Sequence, residues 1–282
     1  MRFELYADPT EFYQAALPLL FAHEAENNII LGIGACLAEN RHYYSENDPV
    51  VGLASMSGAP CGVVLMTPPR NMLLTRMPQE LAEYVASELA DAGIALPGVM
   101  VPQETVAAFI GAWSERTGQR AQFDQTQCIY QLDQVSSLPV VPGYCASATM
   151  DDYELLRNWL PDFLASVGEP LGDIDGRVRY SISASSTYLW KTDAAVSMAA
   201  IPGGTPNGSR IGMVYTPPEY RGRGYATAHV AALSQQILDA GKRFCFLSAN
   251  LANPAANRVY QKIGFLPVCD VDTYRVVRPD VI

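Results

Sequence analysis

The sequence predicts an α/β protein made of two domains that repeat one fold, and three observations predict it. The first is size and composition: 282 residues, 49% apolar and 17% charged, exceed the usual single core and are rich enough in apolar side chains for two packed ones. The second is pattern, because short apolar runs of strand character alternate with segments of helical period throughout the chain. The third is an internal repeat. Val64-Leu65-Met66-Thr67-Pro68-Pro69-Arg70 resembles Met213-Val214-Tyr215-Thr216-Pro217-Pro218-Glu219 at an offset of 149, and Gly118 matches Gly264 at an offset of 146. A chance Thr-Pro-Pro match between two α/β domains is the alternative.

Taken in order, residues 11–39 carry apolar positions at helical spacing and predict two helices, the second over 27–38. Runs 51–56 and 61–66 flank Ser57-Gly58-Ala59-Pro60 and predict a β-hairpin. Residues 78–90 read as a helix with Pro at its start and Gly93 just past its end. A short strand at 99–101, a helix over 104–116 and a strand over 127–132 complete the first half. The stretch Leu138-Pro139-Val140-Val141-Pro142-Gly143 breaks every pattern, and its prolines make it a stiff connector. It divides a domain of 1–138 from one of 144–282, with 139–143 as linker. Beyond it the patterns predict a helix over 151–164 and strands at 180–184, 188–191 and 195–201. A turn over 202–208 follows, then a strand over 211–216 and a helix over 225–240 closed by Gly241. The chain ends with a strand over 243–249, a helix over 254–263 closed by Gly264 and a strand pair around Pro267 and Tyr274.

Charge and special residues exclude several function classes. A net charge of −10 and a pI near 4.8 argue against nonspecific nucleic-acid or anionic-membrane binding, which needs a basic surface; a cationic or amine substrate suits the field better. Six widely spaced cysteines without C-x-x-C read as free thiols of a reducing cytoplasm. His23, His42 and His229 show no metal-ligand spacing, so no metal is expected. No apolar run approaches a membrane span.

The stretch 216–226 concentrates the chemistry. It joins a strand to a helix through Arg221-Gly222-Arg223-Gly224-Tyr225-Ala226, which reads as a phosphate cradle. Glycines let backbone approach a ligand, a helix N-terminus offers free N–H groups, and arginines add charged donors. No Gly-Lys-Ser/Thr opens the helix, so it is no P-loop. Nor does an acid end the next strand, where Ser248-Ala249-Asn250 stands, so a dinucleotide fingerprint fails too. The first half reads Arg70-Asn71-Met72-Leu73-Leu74 after its Thr-Pro-Pro; it lacks the cradle, so the second half is expected to bind ligand and the first to support it.

Together with Asn253-Pro254-Ala255-Ala256-Asn257-Arg258-Val259-Tyr260-Gln261-Lys262-Ile263-Gly264-Phe265, this loop resembles the acyl-CoA-binding core of the GCN5-related N-acetyltransferase (GNAT) superfamily over about 145–282, and more weakly before it. The resemblance implies two tandem GNAT-like domains, each a mixed, mostly antiparallel sheet flanked by helices, the first degenerate. It also implies acetyl-CoA as co-substrate, with acetyl transfer to an amine of a small molecule or peptide by direct attack. Val214, Tyr215 and Thr216 would contact the pantetheine arm, a bulge there aiming an N–H at the thioester carbonyl. Arg221, Gly222, Arg223, Gly224, Tyr225, Ala226 and Thr227 would hold the pyrophosphate. Asn253 is open to two roles, helix cap and pantetheine contact. Tyr260 is either a core tyrosine or the donor that protonates the leaving thiolate. Glu219, Asp193, Glu169 and Asp152 are all conceivable bases, and none is chosen. An acyl-CoA sensor without turnover is the alternative function, and a monomer or homodimer is expected.

Overall fold

The computed structural model describes residues 1–277, which divide into two compact units. The first comprises 1–129, 249–253 and the chain from Pro267 onward; the second comprises 130–248 and 254–266. The first unit contains, in chain order, β1 (Arg2–Leu5), α1 (Pro9–Ala22), α2 (Asn28–Glu39), β2 (Val50–Met56), β3 (Ala59–Met66), β4 (Met72–Leu74), α3 (Gln79–Asp91), β5 (Gly98–Pro102), α4 (Gln103–Thr117) and most of β6 (Arg120–Leu132). The second contains β7 (Tyr144–Ser147), α5 (Tyr153–Val167), α6 (Ile174–Ser183), β8 (Thr187–Lys191), β9 (Ala195–Gly204), β10 (Gly208–Tyr215), α7 (Tyr225–Asp239), most of β11 (Phe244–Asn250) and α8 (Pro254–Ile263). The last strand, β12 (Leu266–Val277), lies almost wholly in the first unit.

The two series of elements match one for one. In each, three antiparallel pairings (β1·β2, β2·β3, β3·β4 against β7·β8, β8·β9, β9·β10) precede one parallel pairing across a helix (β4·β5 against β10·β11). Both α1 and α5 also carry an internal proline, Pro18 and Pro161. The repeat expected from sequence is present, but its register is not the one the Thr-Pro-Pro strings suggest. Thr67 follows β3, whereas Thr216 follows β10, whose counterpart is β4. The shared string is therefore coincidental, and the true counterpart of the Arg/Gly loop is 75–78 rather than 70–74. That segment, Thr75-Arg76-Met77-Pro78, contains no glycine.

In the first unit the sheet runs β1-β2-β3-β4-β5-β12-β6. Consecutive residues of β3 serve opposite faces, as the two-residue strand period requires. Val63 and Leu65 join Phe12, Leu20 and Leu31 beneath α1 and α2, while Val64 and Met66 join Leu81, Val85 and Phe109 beneath α3 and α4. The strand beside β5 is β12, in antiparallel register Val271↔Pro102 to Arg275↔Gly98, and not β6, which follows α4 in sequence. Asp272, buried in β12, accepts hydrogen bonds from Gln103 Nε2 (3.1 Å) and Thr126 Oγ1 (2.6 Å). A side chain at Gly98 would run into the carbonyl of Tyr274, so glycine is required where these strands meet.

In the second unit the order is β11-β10-β9-β8-β7. One core joins Leu156, Trp159, Leu160 and Leu164 of α5 and Val178 and Ile182 of α6 to Leu189, Met198 and Tyr215 of the sheet. Residues 180–184, expected as a strand, end α6 instead. Asp173 caps that helix through the N–H of Gly176 (2.9 Å), and Ile174, Val178 and Ile182 recur every four residues toward α5. The alternation Tyr180-Ser181-Ile182-Ser183 fits both periods, and the cap upstream decides for the helix. The expected terminal strand pair is the single strand β12, and β1, β4 and β7 are short strands that the sequence pattern did not show.

Candidate functional site

The candidate site is built on the end of β10 and the start of α7. β10 pairs with β11 only over Gly208↔Phe244 to Arg210↔Phe246, while its pairing with β9 continues to Tyr215. Past Arg210 its β11-facing edge is unpaired by that strand. Its pairing with β9 also shifts between Gly212↔Ala200 and Tyr215↔Met198, where three steps on β10 oppose two on β9. The extra residue makes a β-bulge, and Met213 adopts φ +52° there, a left-handed conformation that a residue with a Cβ holds only at a cost of about 1–3 kcal/mol. The bulge expected at 213–216 is thus present, at Met213.

The strand end is fastened from both sides. Ser197 Oγ donates to the carbonyl of Tyr215 (3.0 Å), Thr216 Oγ1 donates to Ser197 Oγ (3.1 Å), and His229 Nδ1 lies 3.4 Å from that same oxygen. His229 is wholly buried, its Nε2 has no partner, and burial lowers its pKa to about 4. It is therefore neutral at ordinary pH. Below, the Tyr215 ring packs edge-on against Trp159 and its hydroxyl donates to Asp162 (3.1 Å). Burial and the Asp162 carboxylate together push the Tyr215 phenol up. Tyr215 therefore contributes its side chain to the core, which leaves its backbone as the part that can meet a ligand.

Beyond Thr216 the chain makes a short 3₁₀ turn (Pro218–Tyr220) and reaches the glycines. Gly222 and Gly224 have φ +76° and +81°, so each needs the freedom only glycine has. Gly224 caps α7 with no side-chain hydrogen bond, and the first helical bond runs from the N–H of Ala228 to the carbonyl of Gly224 (3.0 Å). The amides of Tyr225, Ala226 and Thr227 thus precede the hydrogen-bonded ladder, at the positive end of the helix dipole. Two of the four positions from 221 to 224 are arginines, and all four are exposed. This is a suitable donor set for a diphosphate. The two arginines differ, which sequence could not show. Arg221 folds back, its Nε donating to Thr216 O (2.9 Å) and its guanidinium lying 6.0 Å from the Tyr215 ring centroid, so it braces the loop. Arg223 makes no ion pair or hydrogen bond among the described residues and is free for a ligand. Val230, Leu233 and Ile237 are buried and hold α7 against the sheet, whereas Ala226 is half-buried at the open end.

Val214 and Thr216 are half-buried beside the bulge, and α8, which carries Tyr260, packs against α7. The Tyr260 ring lies between Tyr130 (6.4 Å) and Phe265 (6.1 Å). Its hydroxyl makes no hydrogen bond among the described residues, yet is not one of the sealed, unpartnered polar atoms. Burial raises its pKa to about 12. Asn253 is exposed, its N–H donating to Asn250 O (3.0 Å), and falls in the first unit. Of the four conceivable bases, Asp152 binds Lys191 (2.9 Å) and Thr149. Burial pushes its carboxyl up, but Lys191 and Thr149 outweigh that and hold it below the usual range. Glu169 faces Arg177 at 3.9 Å, and Glu219 and Asp193 are exposed. Sequence reasoning missed Ser197, Asp162 and His229, because isolated polar residues inside apolar runs carry no motif.

The counterpart in the first unit cannot act in the same way. Pro78 has no N–H to offer, the N–H of Met77 is taken by Thr105 Oγ1 (3.1 Å), and Arg76 is neutralised by Glu26 and Glu104, each at 3.2 Å. A groove of about 540 Å³ there is lined by Glu26, Glu104, Arg76 and His23, a setting without free positive charge for a diphosphate.

Comparison with known proteins bears on the fold. Residues 195–276, which span β9 to β12, match the family model described as FR47-like protein. Among solved structures, a GCN5-related N-acetyltransferase from Sphaerobacter thermophilus superposes with TM-score 0.62 at 17% identity, over 99% of this chain and 97% of that one. An acetyltransferase of the GNAT family from Colwellia psychrerythraea gives 0.59 at 12%, over 99% and 100%. A tandem GNAT protein from the clavulanic acid biosynthesis pathway gives 0.56 at 14%, over 99% and 100%. No curated protein matches the sequence. Over nearly its whole length, the chain therefore shares the fold of these GNAT acetyltransferase structures. Among the described residues no helix is long and apolar enough to cross a membrane, no group of side chains could hold a metal ion, and all six cysteines are free.

Proposed function

We propose that this chain is an N-acetyltransferase that transfers an acetyl group from acetyl-CoA to an amine. The observation that carries the reading is the pairing of a bulged strand end with an uncapped, glycine-opened helix start, because a diphosphate and an extended thioester arm need those two features side by side. In this reading the amides of 225–227 and Arg223 hold the diphosphate. The backbone of Val214 to Thr216 aligns the arm, and Arg221, Ser197 and His229 keep the strand end rigid. When bound, acetyl-CoA supplies the activated carbonyl: the C–S bond breaks as the amine forms the new C–N bond, and the amine's proton ends on the departing sulfur.

The structure changes what Tyr260 can contribute. A thiol leaves with a conjugate pKa of about 8.5, so a phenol held at about 12 gives up its proton to that sulfur only uphill. Tyr260 therefore serves as a hydrogen-bond donor to developing negative charge, staying protonated throughout the working range. The negative field of the protein suits a cationic acceptor, a small amine or a basic peptide. The test is release of free thiol from acetyl-CoA across a panel of amines, amino acids and peptides. Acceptor-dependent release is expected; binding of acetyl-CoA with no release for any acceptor would leave a sensor and remove the transferase.

A further inference from the structure

We infer that the proline-bounded segment 139–142 forms part of the ligand site and carries the nucleoside end of the acyl-CoA, an inference that rests on the reading of the cradle given above. Three attachments within the second unit hold the chain leading through this segment. The N–H of Ser136 donates to the carbonyl of Ile263 at the end of α8 (2.8 Å). Val141 lies against Gly224, whose added Cβ would stand 3.3 Å from Val141 Cγ2. The carbonyl of Pro142 accepts from Trp190 Nε1 (3.1 Å), and Gly143, at φ +123°, is so close to that indole that no side chain fits. With Pro139 and Pro142 fixing φ on either side, Val140-Val141 is held as a rigid strap next to the residue that opens the diphosphate cradle.

Val140 is 97% exposed. A valine displayed in that way gains nothing for folding, yet it stands on a segment pinned beside the cradle. A nucleoside is joined covalently to the diphosphate, so it must lie within a few ångströms of the cradle, and a purine face is the apolar surface that an aliphatic strap can cover. The 139–143 stretch, which reads in sequence as a connector between domains, thereby becomes a wall of the site.

The experiment compares acetyl-CoA with S-acetyl-4′-phosphopantetheine, which lacks the nucleoside and one phosphate of the diphosphate, by calorimetry on the parent and on Val140→Ser. Full exposure of Val140 makes the variant harmless to the fold, which a thermal melt checks. Loss of partial burial of one valine against the base predicts about fivefold weaker binding of acetyl-CoA, with the affinity for the truncated thioester unchanged. Equal affinities of parent and variant for acetyl-CoA overturn the inference, as does an equal loss for both ligands, which marks a strap that only supports the cradle. A parent that binds neither ligand overturns the underlying reading of the cradle instead.

Discussion

At the scale of single residues, burial keeps two groups neutral by shifting them in opposite directions. His229 sits neutral behind Ser197 with its pKa lowered to about 4, whereas in the unfolded chain a histidine titrates near 6.5. Its folded pKa is depressed, so its contribution to stability is complete above about pH 6.5 and is lost as pH falls toward 4, where the unfolded chain gains a proton that the folded one refuses. Denaturant unfolding at pH 7.5 and 5.0 is expected to show about 2 kcal/mol more destabilisation for the parent than for His229→Gln. Identical pH dependence would show that His229 is not held neutral. Tyr260 is the second case. Tyr260→Phe is expected to lower turnover on the order of a hundredfold while leaving the affinity for acetyl-CoA unchanged, and the parent profile should show no limb from this phenol below pH 10. Unchanged turnover would return Tyr260 to an ordinary core role beside Tyr130 and Phe265.

At the scale of elements, the site is a strand end and a helix start, and these were the parts most legible in the sequence. Glycines, prolines and the change from two-residue to helical period are local signals, so β10, the loop and α7 could be placed within a few residues. Pairing partners are not local. Nothing in residues 266–277 says that they lie beside β5, 170 or so positions earlier, because hydrogen-bond ladders leave no mark on the strand that joins them. This has a measurable consequence. A fragment of residues 1–138 lacks β12 and bares the edge of β5, so it is expected to be insoluble or to unfold without cooperativity. The same fragment extended by a flexible linker and residues 266–282 should be soluble and unfold cooperatively. A well-folded 1–138 would show that β12 is dispensable to the first unit. The end of α6, read from sequence as a strand, teaches a related lesson: Tyr180-Ser181-Ile182-Ser183 satisfies both periods, and the Asp173 cap decides for the helix.

At the scale of the whole molecule, the chain repeats one order of elements, and the glycine-opened helix start stands in the second copy. The repeat was readable as an order of elements, but the string that advertised it belonged to non-equivalent strands, since Thr67 closes β3 and Thr216 closes β10. The contrast between the two loops rests on different residues. Where α7 is preceded by Gly222, Arg223 and Gly224, α3 is preceded by Arg76, Met77 and Pro78, and proline and paired charge leave no cradle there. The bracing residues Ser197, Asp162 and His229 were beyond reach because their meaning lies in three-dimensional neighbours rather than in spacing. That asymmetry between the copies makes the central claim specific: one acyl-CoA per chain, held at the start of α7.

Isothermal titration of acetyl-CoA into the parent and into Gly224→Asp measures it most directly. At φ +81° an aspartate strains the backbone and sets a negative charge at the helix start where the diphosphate would rest. The expected result is a stoichiometry of one for the parent and no detectable binding for the variant, with both proteins folded by circular dichroism. Binding of equal strength to the folded variant, or two equivalents bound by the parent, would contradict the assignment.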